Sequence, residues 1–298
     1  MLKEHDNGIY YMLLSALISA LNGSLVKILS DDLSALEIVF FRNMIGVFLI
    51  LYALRHTPPK LSGGKLHLLF ARGFLGFMAM ILFFYTITTI PLGEAITLNK
   101  TSPLFVTLLA FYLLGERLQF TTIIALFIGF IGVVLVVKPF GMNFSYEHII
   151  GVFGGFFAAA AYTTIKKIKD IYDSRVIVLS FVGVGTLFPA LLFLITPYVD
   201  SPKSLQFLFS EFIMPSGVKI WFVIAFMALI STLSQWLLTK AYSAKQLSIV
   251  GVISYTNIPF AIGFGFLLGD AFPDNLTFLG IFMIIFGGIF VSSKRKTK

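Results

Sequence analysis

Cysteine is absent from the 298 residues, which excludes disulfides, zinc–thiolate sites and cysteine-ligated iron–sulfur clusters. Charge is scarce as well. Asp, Glu, Lys and Arg make up 12% of the chain, against roughly 25% in soluble globular proteins. Too few charges remain to solvate a surface of this size, so most of it faces something other than water. Acid is the rarer sign, with 14 Asp and Glu against 22 Lys and Arg. The resulting net charge of +8 invites a nucleic-acid partner, but basic loops beside membrane helices account for it through the positive-inside rule. No nucleic-acid partner is expected. The chain also lacks HExxH, GxSxG and paired aspartates in facing helices. Its four histidines, His5, His56, His67 and His148, fall in tails, loops or at helix ends. No metal site, cofactor or enzymatic activity is expected, and an intramembrane enzyme is the alternative from another class.

What is abundant is apolar. Hydrophobic residues reach 58%, and 34 residues are Phe. A membrane-crossing helix needs about 20 predominantly apolar residues. Ten such runs are predicted, near 9–29, 33–54, 66–87, 92–114, 119–138, 148–168, 175–197, 217–240, 246–267 and 275–293. The expected fold is an all-α integral membrane protein with ten transmembrane helices. The longest connection, about 198–216, has an apolar stretch from Leu205 to Ile213 suited to the membrane interface. With the N-terminus inside, the inner loops and adjoining helix ends hold fifteen Lys and Arg, while the outer ones hold three, Lys138, Lys203 and Lys219. Both termini are therefore expected in the cytoplasm. The first run lacks a small-residue cleavage signal, which fits a multi-pass protein of a bacterial inner (plasma) membrane.

The chain resembles itself. Ser102–Glu116, SPLFVTLLAFYLLGE, is matched by Ile258–Asp270, IPFAIGFGFLLGD, and both precede a Gly-rich helix. Pro103 matches Pro259, Leu-Leu-Gly-Glu at 113–116 matches Leu-Leu-Gly-Asp at 267–270, and Lys138 matches Lys294. The offset stays between 154 and 156 residues. The halves are then 1–145 and 146–298, five helices each. Five is odd, so the second half enters the membrane upside down. Inverted repeats with interrupted helices near the midplane are a mark of secondary transporters. Pro103 and Pro259 are expected to bend matched helices 4 and 9.

These segments, with Phe-Phe-Arg at 40–42, Ala-Arg-Gly at 71–73, Pro-Leu-Gly-Glu-Ala at 91–95, Thr-Ser-Pro at 101–103 and Leu-Gly-Glu at 114–116, resemble the drug/metabolite transporter superfamily, EamA-type ten-helix transporters. The similarity spans nearly the whole chain and is clearest in the first half. In the second half Asp270 stands where the first has Glu116. The resemblance implies two inverted five-helix repeats, alternating access to a central cavity, and helices 5 and 10 packed at one edge. It does not define the substrate.

Four basic residues lie within helices: Lys27, Arg42, Arg72 and Lys100. An ionisable group there is costly unless it faces water or protein. Lys27 lies near an outer helix end and can snorkel. Arg72, about six residues in, either snorkels or belongs to a substrate or ion-pair site. Arg42 and Lys100 share a depth of roughly 12–14 Å at 1.5 Å per residue. They either pair permanently with Glu37 and Glu94, or await a substrate carboxylate or phosphate. At about 100° per residue, Glu94, Thr97, Lys100, Thr101 and Thr107 share one arc of helix 4 suited to a water-filled cavity. Asn99 and Ser102 fall off that arc. Glu94 either complements the helix dipole or carries a proton in coupled transport. In the second half Tyr162 and Thr163, Gln235 and Trp236, and Tyr255 and Asn257 are the candidates.

The expected substrate-binding set is thus Arg42, Thr97, Lys100, Thr101, Tyr162, Gln235, Tyr255 and Asn257. The expected function is secondary active transport of a small metabolite with an anionic group, the partners being that metabolite, membrane lipids and a coupling proton. A multidrug or lipid exporter of the same fold is the alternative, although export of cations would want more acid in the cavity.

Overall fold

The computed structural model describes residues 2–59, 64–114, 120–137, 145–201, 205, 207–243 and 254–293. Among them there is no strand. The helices are α1 (Leu2–Leu29), α2 (Ala35–His56), α3 (Leu66–Thr89), α4 (Leu92–Asn99), α5 (Ser102–Leu114), α6 (Phe120–Val137), α7 (Tyr146–Ile168), α8 (Ser174–Ile195), α9 (Val218–Ser243), α10 (Asn257–Leu267) and α11 (Asn275–Ser293). Each of the ten predicted spans holds a helix. Residues 246–253, the start of the ninth, fall outside the described residues, as do most of the loop after α5 and the C-terminal basic run. Seven segments are long and apolar enough to cross a membrane by themselves, and Phe127–Val136 and Asn275–Gly287 form shorter apolar stretches.

Helix 4 is not continuous. It breaks at Lys100 and Thr101 into α4 and α5, with Pro103 in the first turn of α5. Proline lacks the N–H that a continuing helix would need, whereas a first turn leaves that position unbonded anyway. Pro259 likewise sits in the first turn of α10, after a 3₁₀ turn at Ser254–Thr256. The expected bends are therefore breaks, at matched positions.

Other ends have local causes. Ser34 caps α2: its Oγ accepts from the Glu37 N–H at 3.3 Å, and Glu37 Oε2 accepts from the Ser34 N–H at 2.8 Å, a capping box. Glu37 Oε1 also accepts from the Ile213 N–H at 2.6 Å. That bond ties down the 207–213 segment, whose Phe207 stacks on Tyr85 at 4.3 Å and whose Phe212 lies against Phe40 and Phe41. The predicted interfacial segment is thus a strap folded onto the ends of α2 and α3. At the opposite end Asp173 caps α8, accepting from the Arg175 N–H at 2.9 Å.

Helices with little polar surface associate through small residues that let backbones approach. The α6–α11 contact is of this kind. A Cβ on Gly132 would stand 2.7 Å from the Gly280 carbonyl oxygen, and one on Gly280 would stand 2.7 Å from that of Gly132. The expected pairing of helices 5 and 10 is present. Elsewhere α1 packs on α9, α3 on α7 and α8, α2 on α8 and α9, and α4 on α7 and α10. These helices enclose the centre of the molecule, while α6 and α11 stand beside it.

Candidate substrate cavity

A central cavity of about 80 Å³ opens between α1, α2, α3, α4, α7, α8, α9 and α10. It has room for several waters and is smaller than the roughly 300–1,000 Å³ of small-molecule sites. Arg42, Arg72, Lys100, Tyr162, Gln235 and Asn257 all line it. Arg42 is 4% exposed and Arg72 1%.

Arg72 does not snorkel. A Cβ placed on Gly76, one turn further into the membrane, would collide with Arg72 Nη1 and with the Phe181 ring. The guanidinium therefore lies over Gly76, pointing toward the cavity rather than the near end of α3. Its Cζ lies 5.0 Å from the Phe181 ring centroid, and that of Arg42 lies 5.5 Å from the same centroid and 5.9 Å from Phe84. Two cations from α2 and α3 thus share one aromatic ring of α8. Arg42 Nη1 donates to Asn43 Oδ1 at 2.7 Å and to Met80 Sδ at 2.8 Å. Asn43 is itself held by donating to the Gly185 carbonyl at 3.1 Å.

Lys100 sits at the break, as the C-cap of α4, its N–H bonded to the Ile96 carbonyl at 2.9 Å. Because the helix stops there, the 100° phase no longer carries through, and the expected single polar arc is not present. Asn99 faces the cavity beside Lys100, contrary to its helical phase. Thr97 and Thr101 do not line it: their hydroxyls donate to the carbonyls of Gly93 at 2.7 Å and Leu98 at 2.6 Å. The side chain of Thr107 lies outside the described residues.

The permanent ion pairs considered for Arg42 and Lys100 are absent. Glu37 is engaged in its cap, and Glu94 Oε2 lies 3.4 Å from His148 Nε2 near the end of the bundle that holds Lys27. Among the described residues no Asp or Glu pairs with Arg42, Arg72 or Lys100. Lys27 does not simply snorkel either. It pairs with Asp270, whose Oδ2 accepts from the Leu92 N–H at 2.8 Å. One carboxylate thereby joins the ends of α1, α4 and α10.

In the second half Asn257 Nδ2 donates to the Ala16 carbonyl at 2.6 Å while lining the cavity. Tyr162 stacks on Tyr242, centroids 4.6 Å apart and planes at 17°. Thr163 bonds to its own helix at the Ala159 carbonyl, 2.9 Å. Tyr255 is buried behind the cavity wall, and its hydroxyl has no partner among the described residues. Trp236 lies instead under Lys240, whose Nζ is 4.8 Å from its ring centroid, on a separate surface groove. Ser19 and Asn22 of α1 also line the cavity, and Asn22 accepts from Ser231. Their signal was the spacing Ser15, Ser19, Asn22, one helical face of polar residues.

Membrane-length helices around a buried chamber lined by cations define a multi-pass membrane protein of the transporter type. A model of the EamA-like transporter family matches residues 6–138. Over 291 residues the chain is 31% identical to the pseudopaline exporter CntI of Pseudomonas aeruginosa strain UCBPP-PA14, covering 97% of both chains. It is 27% identical over 227 residues to the riboflavin transporter of Vibrio cholerae, covering 76% of this chain and 70% of that one. It is 25% identical over 296 residues to the S-adenosylmethionine uptake transporter of Rickettsia prowazekii, covering 99% and 95%. A solved crystal structure overlays with a TM-score of 0.64 across 99% of both chains at 16% identity, a likeness of fold. The chain belongs to the EamA-like transporter family.

Proposed function

We propose that the protein is a secondary active transporter for a small metabolite bearing a carboxylate or other anionic group. The observation that carries this reading is the cavity wall: Arg42, Arg72 and Lys100 together, with no acid beside them. Buried charge is unfavourable unless paired, so the partner is to be sought in the ligand. The relatives named for pseudopaline, riboflavin and S-adenosylmethionine support a small polar substrate. The lack of acid in the wall speaks against a multidrug exporter of cations.

The substrate moves by alternating access between two inverted five-helix repeats, 1–145 and 146–298, in the bacterial inner membrane with both termini cytoplasmic. Paired contacts support the repeat: α1 on α9 is answered by α3 on α7, and α3 on α8 by α2 on α9. The matched breaks at Pro103 and Pro259 support a site between the halves. The test is thermal stabilisation of the purified protein by a metabolite panel, wild type beside Lys100→Met. A ligand that binds the folded state raises Tm by mass action. Anionic metabolites should stabilise wild type alone; equal stabilisation of both proteins by cationic or neutral compounds would sink the reading.

Proton coupling is assigned to Glu94, now with a specific neighbour. His148 Nδ1 lies 2.9 Å from Ser145 Oγ and its Nε2 faces Glu94, a carboxylate–imidazole pair able to pass a proton. Glu94→Gln should abolish pH-gradient-driven uptake into proteoliposomes while leaving ligand stabilisation in place. Undiminished pH-driven uptake would remove Glu94 from the coupling role.

A further inference from the structure

We infer that the substrate carries at least two separate acid groups, one held by the Arg42–Arg72 pair and the other by Lys100. This rests on the anionic-metabolite reading above and goes beyond it. The positive charges come from three different elements, α2, α3 and the α4–α5 break. Both guanidinium carbons lie within 5.5 Å of the Phe181 centroid, so the arginines form one cationic patch. Lys100 has no aromatic partner and no ion pair among the described residues, and projects from the C-cap of α4 into the same chamber.

The arginines are built to hold an acid. Each has an Nε buried without any acceptor among the described residues. Arg42 has one nitrogen fixed by Asn43 and Met80, which orients the rest of the fork. Arg72 has no hydrogen-bond acceptor among the described residues at all. A planar guanidinium offers a carboxylate two parallel N–H groups, whereas an ammonium offers a compact point charge. One acid group on the arginine pair leaves Lys100 uncompensated. The other cavity-lining polar groups, Asn99, Tyr162, Gln235 and Asn257, are neutral and cannot balance it. A ligand with a second acid can.

The same chemistry could come from dicarboxylates or from a doubly charged phosphate, so the test separates them. Purified full-length protein is titrated by thermal shift with butyrate, succinate, tricarballylate and glycerol 3-phosphate. Succinate should bind about tenfold or more tighter than butyrate, the scale of one added charge pair, with tricarballylate at least equal to succinate. Lys100→Met should bring succinate down to the butyrate level and leave butyrate unchanged. Lys100→Arg, which keeps the charge, should retain the preference and guards against a variant that merely misfolds. Butyrate and succinate binding wild type equally, with both lost in Arg72→Gln, would overturn the second acid and leave the anionic reading standing. Glycerol 3-phosphate matching succinate would overturn the two-position assignment in favour of a single dianion. If no acid stabilises wild type, both readings fall together.

Discussion

Gly76 shapes the cavity by having no side chain. The Arg72 guanidinium and the Phe181 ring occupy the space that a Cβ would fill, so the residue one turn beyond the arginine decides where its charge goes. Gly76→Ala should push the guanidinium off Phe181. Overpacking of this kind costs about 1–3 kcal/mol, to be read as a lowered Tm, and anion-induced stabilisation should weaken with it. A Gly76→Ala protein that binds anions as wild type does would show that Arg72 is not held by this contact. Depth along the helix left Arg72 undecided between snorkelling and site, and the spacing Arg72-x-x-x-Gly76 was the legible clue. Arg42 and Lys100 were legible as buried cations because apolar runs make a charge conspicuous. Their isolation was not. It depends on Glu37 and Glu94 finding partners elsewhere, Ile213 at a separation of 176 residues and His148 at 54, and pairing at such distances leaves no mark on local periodicity.

At the scale of elements, the helix ends near Lys27 are tied by one side chain. Asp270 receives the Lys27 ammonium and the Leu92 N–H, joining α1, α4 and α10. Both pair members are partly exposed, 23% and 13%, so its contribution is discounted from a fully buried pair to about 1–2 kcal/mol. Asp270→Asn should lower Tm modestly and loosen that end. Because the chain has no native cysteine, Gly93→Cys at the small cavity beside Asp270 gives a clean reporter. Maleimide should label it faster in the Asp270→Asn background, and an unchanged rate would show that the pair does not hold this end shut. The helices were readable from apolar run length, and Pro103 and Pro259 from the repeat. The break at Lys100 was read as a bend, which kept Thr97 and Thr101 in one arc with Lys100 and put Asn99 off it. One interrupted turn resets the angular phase of everything after it.

At the scale of the whole molecule, packing follows a two-part plan with α6 and α11 set aside. Glycines at Gly132 and Gly280 bring those two backbones together, and neither helix lines the central chamber. The chamber's cations have an electrical consequence. A carrier whose site is more positive empty than filled does not feel the membrane potential equally on its two journeys. Each elementary charge moved across the membrane corresponds to about 2.3 kcal/mol per 100 mV. With the interior negative, the unloaded cationic site is drawn toward the cytoplasm, where it meets internal substrate, while the neutralised loaded site travels with less electrical bias. The cycle then favours outward delivery. Solid-supported membrane recordings from proteoliposomes should show a transient current on ligand addition that shrinks in Lys100→Met; a current of unchanged size would mean that Lys100 carries no charge through the field.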